Sequence, residues 1–80
     1  MYKLIKDVNN RYIIFIEGVG HFNLNSVSYI SELEELCDGV DVVLYFTIDN
    51  VKISKVIYDS DIESEFRDMY NFINHYFIFK

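Results

Sequence analysis

The chain has no proline, no alanine and no tryptophan, and only one cysteine and three glycines in 80 residues. A single cysteine, Cys37, excludes an internal disulfide, so the fold is not a disulfide scaffold and suits a reducing compartment. Long apolar runs are missing too. Nothing approaches the ~20 apolar residues of a membrane span. The run Tyr12 to Ile16 behind Lys3 and Lys6 is too short for a signal-peptide core and lacks a cleavage site, which leaves a soluble, cytoplasmic chain as the expectation. Basic residues are scarce: seven Lys and Arg against thirteen Asp and Glu give a net charge of −6. That balance argues against direct nucleic-acid binding, which needs cations to replace counterions, and suits a basic partner.

What is present is apolar patterning. Half the residues (51%) are hydrophobic and 18% are aromatic. A single domain of this length, residues 1–80, buries only about 60–65% of its unfolded surface. Part of the apolar excess is therefore expected to be covered by a partner or by a second copy, as a homodimer.

The clearest element is Ser60 to Tyr76, where Ile62, Phe66, Met69, Tyr70, Ile73 and Phe77 make the stripe of an amphipathic helix. Ser60 with Glu63 reads as a capping box, Asp61 and Glu63 suit the positive end of the dipole, and Glu63 to Arg67 is a favourable i, i+4 pair. Earlier, Tyr2 to Lys6 and Arg11 to Glu17 read as a hairpin, with Asp7 opposite Arg11 across a three-residue loop. This register puts Tyr2, Leu4, Tyr12, Ile14 and Ile16 on one face. Gly18 to Asn23 is a turn running into a short strand. A first helix is expected from Asn25, Ser26 or Ser28, with Val27, Ile30, Leu33, Leu36 and Cys37 inward and Gly39 as its C-terminal stop. Asp41 to Ile48 and Val51 to Tyr58 make a second hairpin around Asp49-Asn50, with Lys55 breaking the alternation at a bulge or an edge. The expected fold is α+β in the order ββαββα, an antiparallel sheet with two helices packed on one face.

Chemistry motifs are thin. His21, His75 and Cys37 share no metal-ligand spacing. Asp59, Asp61, Glu63 and Glu65 resemble a calcium-loop start, but Ser64 and Tyr70 stand where the glycine and the final glutamate are needed. Cys37 reads as a buried structural thiol, and Gly18-Val19-Gly20 lacks the third glycine of a phosphate loop. No carboxylate pair is singled out for acid–base work, so the chain is not expected to be an enzyme, and no cofactor or metal is implied.

Charge distribution is more informative. Residues 1–16 carry +2 and residues 17–41 carry −6. Within the expected first helix, Glu32 and Glu35, Glu35 and Asp38, and Glu34 and Asp38 are like-charge neighbours with no Lys or Arg to offset them. A local rule broken without structural gain marks a place to look for function. Glu32, Glu34, Glu35, Asp38 and Asp41, with Tyr29 supplying apolar contact beside Tyr45 and Tyr58, are the candidate partner-binding residues. They would occupy a basic surface that otherwise holds nucleic acid.

The missing alanine and proline and the two arginines also point to an AT-biased gene, as in a low-GC bacterium or its phage. In size, acidity and residue usage the chain resembles the small phage-encoded inhibitors of bacterial defence, the anti-CRISPR proteins among them. That resemblance implies a nuclease or other effector complex as target. The alternative is a homo-oligomeric module binding a small ligand or signalling nucleotide, which would need Lys3, Lys6, Arg11, Lys52 and Lys55 to converge on one face.

Overall fold

Left-handed turn residues and alternating apolar positions organise the first half of the chain. The computed structural model describes residues 1–79, and the side chains of all of them but Asp38, Ile78 and Phe79. Strands β1 (Tyr2–Lys6), β2 (Tyr12–Ile16) and β3 (Gly20–Asn23) form an antiparallel meander. Between β1 and β2, Asn10 takes φ 62°, a conformation that asparagine tolerates better than most residues. The Asp7 amide donates to the Arg11 carbonyl at 2.9 Å, which closes the expected three-residue loop. The register runs from Tyr2 opposite Ile16 to Lys6 opposite Tyr12, so the residues expected to share one face do share it, with Leu4 exposed at its margin.

The second half repeats the three-strand plan. Strands β4 (Glu34–Asp38), β5 (Asp41–Ile48) and β6 (Val51–Ile57) form another antiparallel meander. Asp49 and Asn50 both have positive φ, 45° and 69°, the pattern of a tight two-residue hairpin turn. Leu44, Phe46 and Ile48 alternate inward with Ile53 and Ile57. Lys55 falls on that inward side of an edge strand, and the β5–β6 register is unbroken, so there is no bulge there.

Helix α1 (Ser60–Phe79) then covers both sheets. Its cap is Asp59 rather than the expected Ser60. The Asp59 carboxylate accepts from the Asp61 amide at 2.7 Å and its carbonyl accepts from the Glu63 amide at 3.2 Å. A carboxylate at that position also meets the positive end of the helix dipole, which a serine hydroxyl does not. Twenty residues extend about 30 Å. The early part puts Phe66 and Tyr70 edge-on to Phe46 at 5.6 and 5.2 Å, and the later part puts Phe72 and Tyr76 against Tyr12 at 6.3 and 5.3 Å. Ile14 and Ile16, Leu24 and Val27, the inward rows of β5 and β6, and Phe66, Met69 and Ile73 join in one buried cluster. The accessible surface is 5318 Å², against about 5,100 Å² expected for a folded monomer of this mass.

The ββαββα order with two helices is therefore corrected to six strands in two sheets followed by a single helix. The helix expected to start at Asn25, Ser26 or Ser28 and to stop at Gly39 does not form. Val27, Ser28, Tyr29, Ile30 and Ser31 are β-branched, aromatic or short hydroxyl residues, all weak in helices. The chain there is drawn out along β5 instead. Asp49 Oδ1 accepts from the amide N–H groups of Ser28 and Tyr29 and from the Ser28 hydroxyl, each at 3.0 Å. Ile30 bridges to Ile48, and the Ser31 hydroxyl accepts from the Thr47 amide at 2.7 Å. Extension turns Glu34 and Glu35 to opposite faces of the strand, while it sets Asp38 opposite Asp41 across the turn. Gly39 does not end a helix. At φ 72° it is the first residue of the two-residue turn joining Asp38 to Asp41, the glycine-first pattern of a type II′ hairpin.

Asp49 is thus the tie between an irregular segment and the sheet. Replacing it with alanine should cost about 1–3 kcal/mol, read as a lower urea midpoint at unchanged slope. Asp49→Asn keeps an acceptor and tolerance of positive φ, and should lose less than half of that.

Candidate functional site

The acidic residues singled out from sequence lie on a sheet margin rather than a helix face. β4 is an edge strand with Glu34 opposite Tyr45, Glu35 opposite Leu44 and Leu36 opposite Val43. Across β5, Val43 faces Val56 and Tyr45 faces Ser54. Strand alternation then sorts the side chains. Glu34, Leu36, Val43, Tyr45, Lys52 and Val56 share the face turned away from the core. On it Leu36 is 54% exposed and Val56 37%, so the row Leu36–Val43–Val56 is an apolar strip open to solvent. Because the turn at Gly39 has two residues, Glu34 and Leu36 hydrogen-bond to β5, and the backbone N–H and C=O groups of Glu35 and Cys37 point outward along the free edge.

The carboxylates have different surroundings. Glu34 accepts a hydrogen bond from the Tyr45 hydroxyl; that bond, burial and the carboxylate's charge together hold the hydroxyl above its usual 10.0. The Tyr45 ring also carries the Lys52 ammonium, 4.5 Å from its centroid. Glu35 points the other way and meets Arg67 of α1 at 3.2 Å, and the same guanidinium holds Glu63 at 3.1 Å. Glu32 is exposed just before β4, beside Ser31, whose carbonyl accepts from the Tyr70 hydroxyl at 3.0 Å. Asp41 begins β5, half-buried. Asp38 is the last residue of β4, opposite Asp41, and its side chain lies outside the described residues.

Tyr29 is not part of this group. It is held by Asp49 at the far end of β5, roughly 24 Å along the strand from Asp41. Tyr58 is exposed just past β6. Cys37, expected to be buried, is exposed on β4. His21 stacks on Phe15 on the outer face of the first sheet at 4.8 Å, and His75 is exposed on α1.

Two clefts lie around the N-terminal residue. One, of about 310 Å³, is lined by Met1, Ile16, Gly18, Ile53, Lys55 and Phe66. A shallower one is lined by Met1, Tyr2, Lys3, Phe15 and Glu17. Between them the Met1 amino group pairs with Glu65 at 2.7 Å. That hydrogen bond, against a smaller opposing effect of burial, keeps the Glu65 carboxyl below its ordinary 4.5. Each cleft has a single lysine, Lys55 or Lys3, beside the Met1 ammonium. Lys3 and Lys6 sit an odd number apart on β1 and face opposite ways, as do Lys52 and Lys55 on β6. Lys6 instead covers the Tyr12 ring at 5.7 Å. The convergence that an anionic ligand would need is absent among these strand lysines.

Tyr45 was expected to supply apolar contact; Leu36, Val43, Val56 and Arg67 were not expected in the site. One signal was in the sequence, the Asp38-Gly39 pair, which marks hairpins as readily as helix ends; residues 34–38 themselves do not alternate. Comparison of the chain with protein-family models, with curated proteins and with solved structures yields no match.

The Glu34–Tyr45 bond is directly checkable. In a carbon-13 NMR titration of the tyrosine rings, Tyr45 should ionise above 10.0. Glu34→Gln should move it back toward that value. The stability it contributes is full below pH 10.0 and is lost as pH rises through the elevated value.

Proposed function

We propose that this chain is a protein-binding inhibitor that sets the acidic margin of β4 against a basic surface of its partner. The observation that carries the reading is the run of Glu32, Glu34 and Glu35 along one sheet edge, continued in sequence by Asp38 and Asp41. Among the described residues the cation paired with this margin is Arg67, through Glu35 alone. Carboxylates on a rigid strand are held in place at little entropic cost and attract a basic surface from a distance, so association should be fast and weakened by salt. The neighbouring row Leu36–Val43–Val56 supplies the apolar area that charge alone does not, and Tyr45 supplies an aromatic anchor. A surface that normally receives nucleic acid has the matching chemistry. A phage-encoded inhibitor of a bacterial defence complex is the class that length, acidity and residue usage support, with a nuclease or effector complex as the target. Two β4 margins repel one another, so this surface favours a foreign partner over a second copy.

The test uses charge reversal at exposed positions that make no ion pair with α1. Glu32→Lys with Glu34→Lys should reduce capture of basic, nucleic-acid-binding host proteins about tenfold at low salt. High salt should reduce wild-type capture in the same way, and a competing oligonucleotide should displace the captured partner. Capture indifferent to both salt and the double reversal would refute the reading.

A further inference from the structure

The edge of β4 is charged, but it is also an unfinished sheet. Glu35 and Cys37 are exposed, and their outward backbone groups make no bond to β5. The apolar row that crosses the outer face ends at Leu36, which is more than half exposed. A strand laid beside β4 would satisfy the free N–H and C=O groups and continue this row with its own apolar side chain.

We propose that the partner contributes an extended segment that adds to β4 as a fourth, antiparallel strand, with basic residues opposite Glu34 and Asp38 and an apolar residue opposite Leu36. The proposal rests on reading the β4 margin as the binding surface and specifies how that surface is used. The cross-strand pairing rule fixes the pattern: basic, any, apolar, any, basic, with the three specified side chains on one face. Charge chooses the edge. The opposite edge strand, β6, carries Lys52 and Lys55, which repel a basic segment. Charge also disfavours self-pairing, because two β4 strands related by a two-fold axis at Glu35 bring Glu35 opposite Glu35. Arg67 holds the Glu35 carboxylate toward α1, on the side away from the apolar row, so the acid on that row's face is left to meet the incoming base.

The probe is the peptide Lys-Thr-Val-Thr-Lys, flanked by threonines and blocked at both ends, titrated into the full isotope-labelled chain. Hydrogen exchange at the Glu35 and Cys37 amides should slow about tenfold at saturation, while the Leu36 amide, already bonded to β5, changes little. Alkylation of the Cys37 thiol should slow in parallel. N-methylating both central threonines removes the backbone bonds and keeps the charge, and should abolish the protection. Leu36→Lys, at an exposed position that folding tolerates, should weaken peptide binding several-fold. Equal binding by the N-methylated peptide would overturn strand addition and leave the charged surface standing. Failure of every peptide, with basic host proteins still captured through Glu32 and Glu34, would do the same. Failure of both peptide binding and charge-dependent capture would remove the surface itself. Concentration-dependent self-association of the chain alone, abolished by Lys52→Glu with Lys55→Glu, would name the β6 edge of a second copy as the occupant and overturn a foreign one.

Discussion

One helix has to cover two sheets, and most of the molecule follows from that constraint. Neither three-stranded meander has a second layer of its own. Each must bury its apolar face against α1, whose twenty residues are long enough to reach both. Phe66, Met69 and Ile73 are completely enclosed because Phe46 and its neighbours come from one sheet and Ile14 and Ile16 from the other. The long shape, 45 by 21 by 20 Å, is the consequence of placing sheets along a helix instead of stacking them. With the inner faces committed to α1, the outer faces and the sheet edges are what is left for partners.

The segment between the sheets is where sequence reasoning and structure part company. The last helix, both flanking hairpins and the inward row of β5 were legible, because periodicity there is strong and the turn residues agree with it. Residues 27–38 satisfied a helical spacing, and nothing in their own pattern marked a strand. The outcome was decided by interactions that no local window contains. Asp49, more than twenty residues downstream in sequence for Ser28, collects two amides and a hydroxyl. β5 also needed a neighbour on its far side, and Gly39 made the turn that supplied one. The cluster of like charges was the clue in plain view. A charge run that looks unexplained in a helix is divided in a strand, where Glu34 turns to Tyr45 and Glu35 turns to Arg67. The acidic residues were found by their charge, but their geometry was read on the wrong element, and the apolar partners Leu36 and Val56 could be found only once β4 was a strand.

Open edges carry a hazard that constrains any function placed on them. A strand with free backbone groups will pair with whatever extended chain it meets unless something discourages the encounter. Here the two edges of the second sheet are guarded by opposite charges, carboxylates on β4 and lysines on β6. Such a guard is selective rather than absolute. It raises the cost of pairing with a like-charged or neutral chain and lowers it for a chain of the opposite sign. On the proposed reading, the carboxylates that disfavour pairing of two copies at β4 would also select the partner that joins there.

The proposed dual role would account for a margin that is only partly neutralised. Complete pairing of Glu32, Glu34 and Glu35 with cations would have protected the fold from local repulsion but left the edge uncharged and open to neutral strands. Arg67 instead quiets Glu35, which faces α1, where an unpaired carboxylate would work against the Glu63 nearby. Glu34 makes its bond with a neutral hydroxyl, which satisfies an oxygen without cancelling the charge. The net effect is a strand whose core-side charge is compensated and whose solvent-side charge is kept. Retained charge beside an exposed apolar row is the combination on which the proposed recognition at this edge rests.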